Sequence, residues 1–120
     1  MQEMSFQQLV DKARAAIREI DVTTVKAMQD SAEDFYLVDV REDHEWVAGH
    51  IPKAVHLSKG ILERDIEARI PDYNSKIVMY CAAGSRCALA ALSLQQMGYK
   101  NVFSIEGGLG AWQRAGYPIE

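Results

Sequence analysis

Met79-Tyr80-Cys81-Ala82-Ala83-Gly84-Ser85-Arg86 is the stretch on which the fold turns. It leaves a nearly continuous apolar run, Lys76 to Tyr80, of the kind found in strands covered on both faces. It then enters a helical stretch, Arg86 to Met97, where Leu89, Leu92 and Leu94 stand among alanines. Gly98 closes that helix at the left-handed position of its C-terminus. Asn101 to Ile105 is another β-branched and aromatic run. Strand, helix and strand within roughly thirty residues make a βαβ unit, and its strands pair in parallel.

Outward from this unit, Phe35 to Val40 reads as a third buried strand and Ala54 to Leu57 as a fourth, shorter one. Leu62, Ile66 and Ile70 mark a helix that Pro71 stops, and Gly108 to Arg114 forms a short last helix ended by Gly116 and Pro118. At the start of the chain, Ser5 to Ile20 reads as one amphipathic helix. Phe6, Leu9, Val10, Ala13, Ala16, Ile17 and Ile20 form its apolar stripe. Ser5 and Gln8 have the spacing of a capping box. Thr23 is the expected cap of a short helix through Met28. The division is an N-terminal helical extension, 1–20, and an α/β domain, 21–120. The stripe is expected to pack on the domain or on a second copy, which would make a homodimer.

Composition narrows the function. The 120 residues are 48% hydrophobic and 25% charged, as in an ordinary soluble domain. Surface scaling gives a folded surface of about 6,500 Å², enough burial for an autonomous core. Thirteen Lys+Arg against seventeen Asp+Glu leave a net charge of −4. There is no basic cluster for nucleic acid. No stretch approaches a membrane span, and charges interrupt any leader-like apolar centre near the start. The chain is expected to be cytoplasmic. Cys81 and Cys87 are six apart, which is neither a disulfide framework nor Cys-x-x-Cys.

A cysteine at the carboxyl end of a parallel strand, before a small-residue loop that opens a helix, has a specific consequence. The amides of Ala82, Ala83, Gly84 and Ser85 converge on its sulfur, and the helix dipole adds positive potential. Gly84 permits a positive φ, and Arg86 is expected to add a cation. These conditions lower a thiol pKa, and open α/β sheets place ligands at this edge. The competing reading is a packing cysteine. Cys87 falls in the first helical turn, so its side chain should point toward the sheet or the helix's packing face, not the cradle's centre.

Leu37-Val38-Asp39-Val40-Arg41-Glu42, followed by Gly49-His50-Ile51-Pro52 and Ala54-Val55-His56-Leu57, resembles the first signature of single-domain rhodaneses. Cys81 to Arg86 is similar to their active-site loop, and Glu106-Gly107-Gly108-Leu109-Gly110-Ala111-Trp112 to their last signature. The resemblance spans about residues 20 to 120. It implies an open, mostly parallel sheet of about five strands with helices on both faces, and sulfurtransferase activity through a Cys81 persulfide. By the same resemblance Asp39 and Arg41 fix neighbouring loops, Glu106 orders backbone, and His50 and His56 fill structural positions.

Cysteine phosphatases and arsenate reductases use a similar cradle with five residues between Cys and Arg. Here there are four, Ala82 to Ser85, which suits one sulfur atom better than a tetrahedral oxyanion. Sulfite leaves without a proton, so no general acid is required. The expected partners are a small sulfur donor such as thiosulfate and a thiol, protein or cyanide acceptor. No metal, nucleotide or flavin is expected: His44, His50 and His56 share no helix face, and His44 reads as a solvated loop residue. Ala82 and Ala83 are neutral where thiosulfate-preferring rhodaneses often carry polar or basic side chains. The alternatives are a sulfur carrier or sensor without turnover and, behind it, a small phosphatase or arsenate reductase.

Overall fold

The computed structural model describes residues 3–120. Five strands form one parallel sheet: β1 (Arg18–Ile20), β2 (Tyr36–Asp39), β3 (Val55–His56), β4 (Ile77–Tyr80) and β5 (Val102–Ile105). Their spatial order is β1-β5-β4-β2-β3. Among the described residues six α-helices and a 3-10 turn (Lys59–Ile61) surround it: α1 (Phe6–Ala16), α2 (Val22–Asp30), α3 (Asp43–Ala48), α4 (Leu62–Arg69), α5 (Ser85–Met97) and α6 (Gly108–Arg114). Alternation along β4 divides the core. Ile77, Met79 and Cys81 join Leu62, Ile66, Ala91 and Leu94 on the face of α4 and α5. Val78 and Tyr80 join Val25, Met28, Leu109 and Trp112 on the face of α2 and α6. The accessible surface, 6568 Å², matches the single-core expectation. Among the described residues no helix is long and apolar enough to cross a membrane.

The beginning of the chain departs from its sequence pattern. Ser5 and Gln8 do form the capping box, but α1 ends at Ala16. Ile17 is already extended, and Arg18 to Ile20 pair with Phe103 to Ile105 as an edge strand. Ile17 and Ile20 are three apart, so they share a helix face yet point to opposite faces of a strand. Ile17 packs against one core cluster and Ile20 against the other. Val10 and Ala13 are buried, while Phe6 is 58% exposed and Leu9 44%. The second helix is capped by Asp21, not Thr23, because the Asp21 carboxylate accepts from the Thr24 amide at 2.8 Å. A carboxylate also complements the positive helix terminus.

Between β2 and β3 the chain forms α3, which carries no sequence periodicity. Glu42 caps it, and the Glu42 and Glu45 side chains and amides bond reciprocally. His44 is exposed but helical, not in a loop.

Candidate active site

Cys81 leaves the carboxyl end of β4 and is buried. The next three residues curl back, and Gly84, at φ +106, starts α5. This left-handed turn aims the Gly84 amide at the Cys81 sulfur, 3.1 Å away, and the Cys87 amide donates to it from 3.4 Å. The Cys81 thiol is pulled down to about 5 by the neighbouring Cys87 thiol and by the amides of Cys87, Gly84 and Ala83. Burial opposes the shift and is outweighed. Cys81 is therefore a thiolate at neutral pH.

Inward amides require outward carbonyls, and α6 receives them. Leu109 donates to the Cys81 carbonyl at 2.8 Å, and Gly110 to the Ala82 carbonyl at 3.0 Å. The approach is possible only because Gly108 has no side chain: a Cβ there would stand 2.4 Å from the Cys81 oxygen. Gly107-Gly108 thus has a mechanical role, to let a helix N-terminus clamp the loop's outer surface. Glu106 is exposed, and its amide bonds the Ile20 carbonyl at 2.9 Å, tying β5 to the end of β1.

The Arg86 guanidinium turns sideways. Its Nη1 and Nη2 donate to the two carboxylate oxygens of Glu45 at 2.7 and 3.0 Å. This bidentate pair holds the Glu45 carboxyl at about 2. The expected cation is thus paired, and its work is to brace the start of α5 against α3. Glu45 was not legible as a site residue: it lies 41 positions from Arg86, in a helix the pattern does not show.

Asp39 and Arg41 lie at the same sheet edge and are buried together. Arg41 Nη2 donates to Asp39 at 2.8 Å and to the Gly49 carbonyl at 2.7 Å. They therefore clasp the segment that carries α3 from beginning to end, and Glu45 of that helix meets Arg86 at the start of α5. Their charges are directed at each other. Trp46 completes the clasp: the His50 ring stacks on it at 3.6 Å and the His56 ring at 5.0 Å. His56 Nε2 donates to the Arg41 carbonyl at 2.7 Å. Tyr80 and Trp112 are core, their polar ends on the Ile51 amide and the Pro118 carbonyl. Among the described residues no group of three His, Cys, Asp or Glu is arranged to hold a metal.

Cys87 points where its helical position implies, toward the sheet. Its sulfur lies 2.9 Å from Ser104 Oγ on β5 and 3.3 Å from the Gly84 carbonyl. Ser104 carried no sequence signal, being a lone serine within a strand.

The family model described as Rhodanese-like domain matches residues 21–115. A sulfurtransferase from Allochromatium vinosum is 35% identical over 103 residues, 86% of this chain and 94% of that protein. Thiosulfate sulfurtransferase GlpE of Vibrio cholerae is 31% identical over 101 residues, 84% of this chain and 92% of its own. A Rhodopseudomonas palustris structure, described as a protein of unknown function and possible tyrosine phosphatase, superposes with a TM-score of 0.91. It is 36% identical, and the match covers 100% of this chain and 97% of that one.

Proposed function

Because the chain belongs to the rhodanese-like domain family, we propose that Cys81 carries a sulfane sulfur from a donor such as thiosulfate to a thiophilic acceptor, cyanide or a thiol. The observation that carries this reading is the Cys81 sulfur in its cradle of amides, 3.1 Å from the Gly84 nitrogen and 3.4 Å from that of Cys87, which favours its thiolate. In the first half-reaction the thiolate attacks the outer sulfur of thiosulfate. The S–S bond of the donor breaks, sulfite leaves with the electron pair, and Cys81 holds a persulfide anion. In the second, the acceptor attacks the outer sulfur and the Cys81 thiolate returns. Such a covalent relay splits one transfer into two simple displacements. Preorganised amides stabilise the sulfur anions without reorganising during either step.

Sulfite needs no proton to leave, so the amide cradle suffices without a general acid. The four-residue spacing between Cys81 and Arg86 favours sulfur over a tetrahedral phosphate. The reaction belongs in a reducing cytoplasm, where Cys81 and Cys87 persist as free thiols. Phe6 and Leu9, left exposed on α1, are the contact offered to a second copy in a homodimer.

The test is steady-state formation of thiocyanate from thiosulfate and cyanide, with Cys81→Ser beside the parent protein. Activity should vanish in Cys81→Ser while the melting curve stays cooperative. Turnover in pure Cys81→Ser protein would refute the assignment. A persulfide that forms but is never discharged would identify a carrier in place of an enzyme.

A further inference from the structure

The loop does not account for the second thiol directly beneath it. Cys87 occupies the first turn of α5 and is fully buried, its sulfur between the Gly84 carbonyl at 3.3 Å and Ser104 Oγ at 2.9 Å. Its own amide already donates to Cys81. Ser104 is 1% exposed, and Cys87 is the one hydrogen-bond partner of its hydroxyl among the described residues. A buried hydroxyl donates its proton where it can, so Ser104 O–H points at the Cys87 sulfur. The Cys87 S–H is then free for an acceptor on its other side. Two acceptors flank Cys87, the neutral Gly84 carbonyl, which its sulfur meets at 3.3 Å, and the Cys81 sulfur, which lies 3.4 Å from the Cys87 amide nitrogen.

On the reading of Cys81 given above, we propose that Ser104 and Cys87 are positioning residues for sulfur transfer, a hydrogen-bond chain whose S–H donates to the Cys81 sulfur when that sulfur is charged. A hydrogen bond to an ionised acceptor is about twice as strong as one to a neutral group, so ionisation of Cys81 draws the S–H away from the Gly84 carbonyl. The same sharing is expressed in the titration of the two thiols. Cys81 is pulled down by Cys87, while Cys87 is pushed well up by Cys81 and by burial and stays protonated.

The chain acts at one step in particular. In the loaded persulfide the charge sits on the outer sulfur, the Cys81 sulfur is neutral, and the S–H rests on the Gly84 carbonyl. When the acceptor attacks, the S–S bond breaks and its electron pair returns to the Cys81 sulfur. The Cys87 S–H meets that developing charge beside the two amides. An interaction that strengthens toward the transition state accelerates the step. No proton is transferred, and Cys87 forms no covalent bond. The charged groups around the loop are Arg86 and Glu45, paired with each other and charged from about pH 3 upward, Glu42 within range of Arg86, and Arg114 of α6 against Gly107 and Gly110.

The test is the pH dependence of Cys81 alkylation by iodoacetamide, with single-turnover discharge of preloaded persulfide to a thiol. Variants are Cys87→Ala, Cys87→Ser, Ser104→Ala and Ser104→Thr. In Cys87→Ala the alkylation midpoint should rise by about one pH unit and discharge should slow about tenfold, the worth of one charged hydrogen bond. Loading by thiosulfate should change less. Ser104→Ala should shift both readouts the same way by a smaller amount. Cys87→Ser and Ser104→Thr, which keep a donor, should restore them. If Cys87→Ala does not fold, Ser104→Ala decides the matter, since it removes a single hydroxyl.

Unchanged midpoints and discharge rates in the folded Ala variants would overturn the proposal. So would a Cys81–Cys87 disulfide trapped after one turnover, which would make Cys87 a nucleophile. Alkylation requires no sulfur transfer. A wild-type midpoint near 5 without turnover would therefore sink the functional reading and leave the hydrogen-bond chain to be judged on its own readout.

Discussion

Gly108→Ala should damage this protein more than any other glycine-to-alanine change at the site. Gly108 sits at φ +54, and its missing Cβ would lie 2.4 Å from the Cys81 oxygen and 2.9 Å from the Ala82 carbonyl carbon and oxygen. All three contacts are with backbone, so no flexible side chain can yield. The N-terminus of α6 must withdraw. That stretches the Leu109 bond to Cys81, now 2.8 Å, and the Gly110 bond to Ala82, now 3.0 Å. Left-handed strain of about 1–3 kcal/mol and two weakened buried bonds of about 0.5–1.5 kcal/mol each give about 4 kcal/mol. Against a total stability of about 5–15 kcal/mol, that is a melting point lower by about 15 °C. Gly116→Ala is the control: at φ +79 with open space around it, it carries the strain alone, about 1 kcal/mol. Urea unfolding of both variants gives the difference. The Cys81 alkylation midpoint should rise in Gly108→Ala alone, because carbonyls released from α6 no longer hold the loop amides inward. Two variants equal in stability, with unmoved midpoints, would refute the clamp.

Lys53 occupies the third position of a tight turn after Pro52 at φ +71, with Ala54 donating to the Ile51 carbonyl; Lys53→Gly should stabilise the fold by about 0.5–1 kcal/mol in thermal melts. Alkylation of Cys81 should fall as pH drops through about 5 and stay flat from there to neutrality, since a depressed thiol pKa means protonation only on the acid side. Its rate at neutrality should stay near that of ordinary cysteine, because a less basic thiolate is a weaker nucleophile, with a Brønsted slope of about 0.4–0.5; the midpoint is therefore the diagnostic. A midpoint at pH 8 or above would contradict the cradle. Aryl phosphates should be turned over negligibly, and one glycine inserted after Ala83 should raise phosphate affinity measured by calorimetry; efficient hydrolysis by the parent chain would contradict the loop-length reasoning.

The βαβ unit around Cys81 was legible because its signals are local and redundant: apolar runs, a small-residue loop and Gly98 all mark the same boundaries. Gly84 could be assigned its positive φ for the same reason. Glu45 and Ser104 were not legible, because each works through one partner brought to it by the sheet, and neither has a distinctive neighbourhood. Arg86 shows the limit most clearly. Its charge and position were evident, but its direction was set by a carboxylate in a helix too short for periodicity. At the N-terminus the three-residue spacing of Ile17 and Ile20 fits a helix face as well as two sides of a strand. Only backbone pairing with β5 distinguishes them.

The central claim, that Cys81 carries sulfur, is tested most directly by intact-protein mass after exposure to thiosulfate, with peptide mapping of the adduct. One added sulfur atom on Cys81, absent in Cys81→Ser and removed by cyanide, is the expected result. An unchanged mass, or a sulfur found on Cys87 instead, would contradict it.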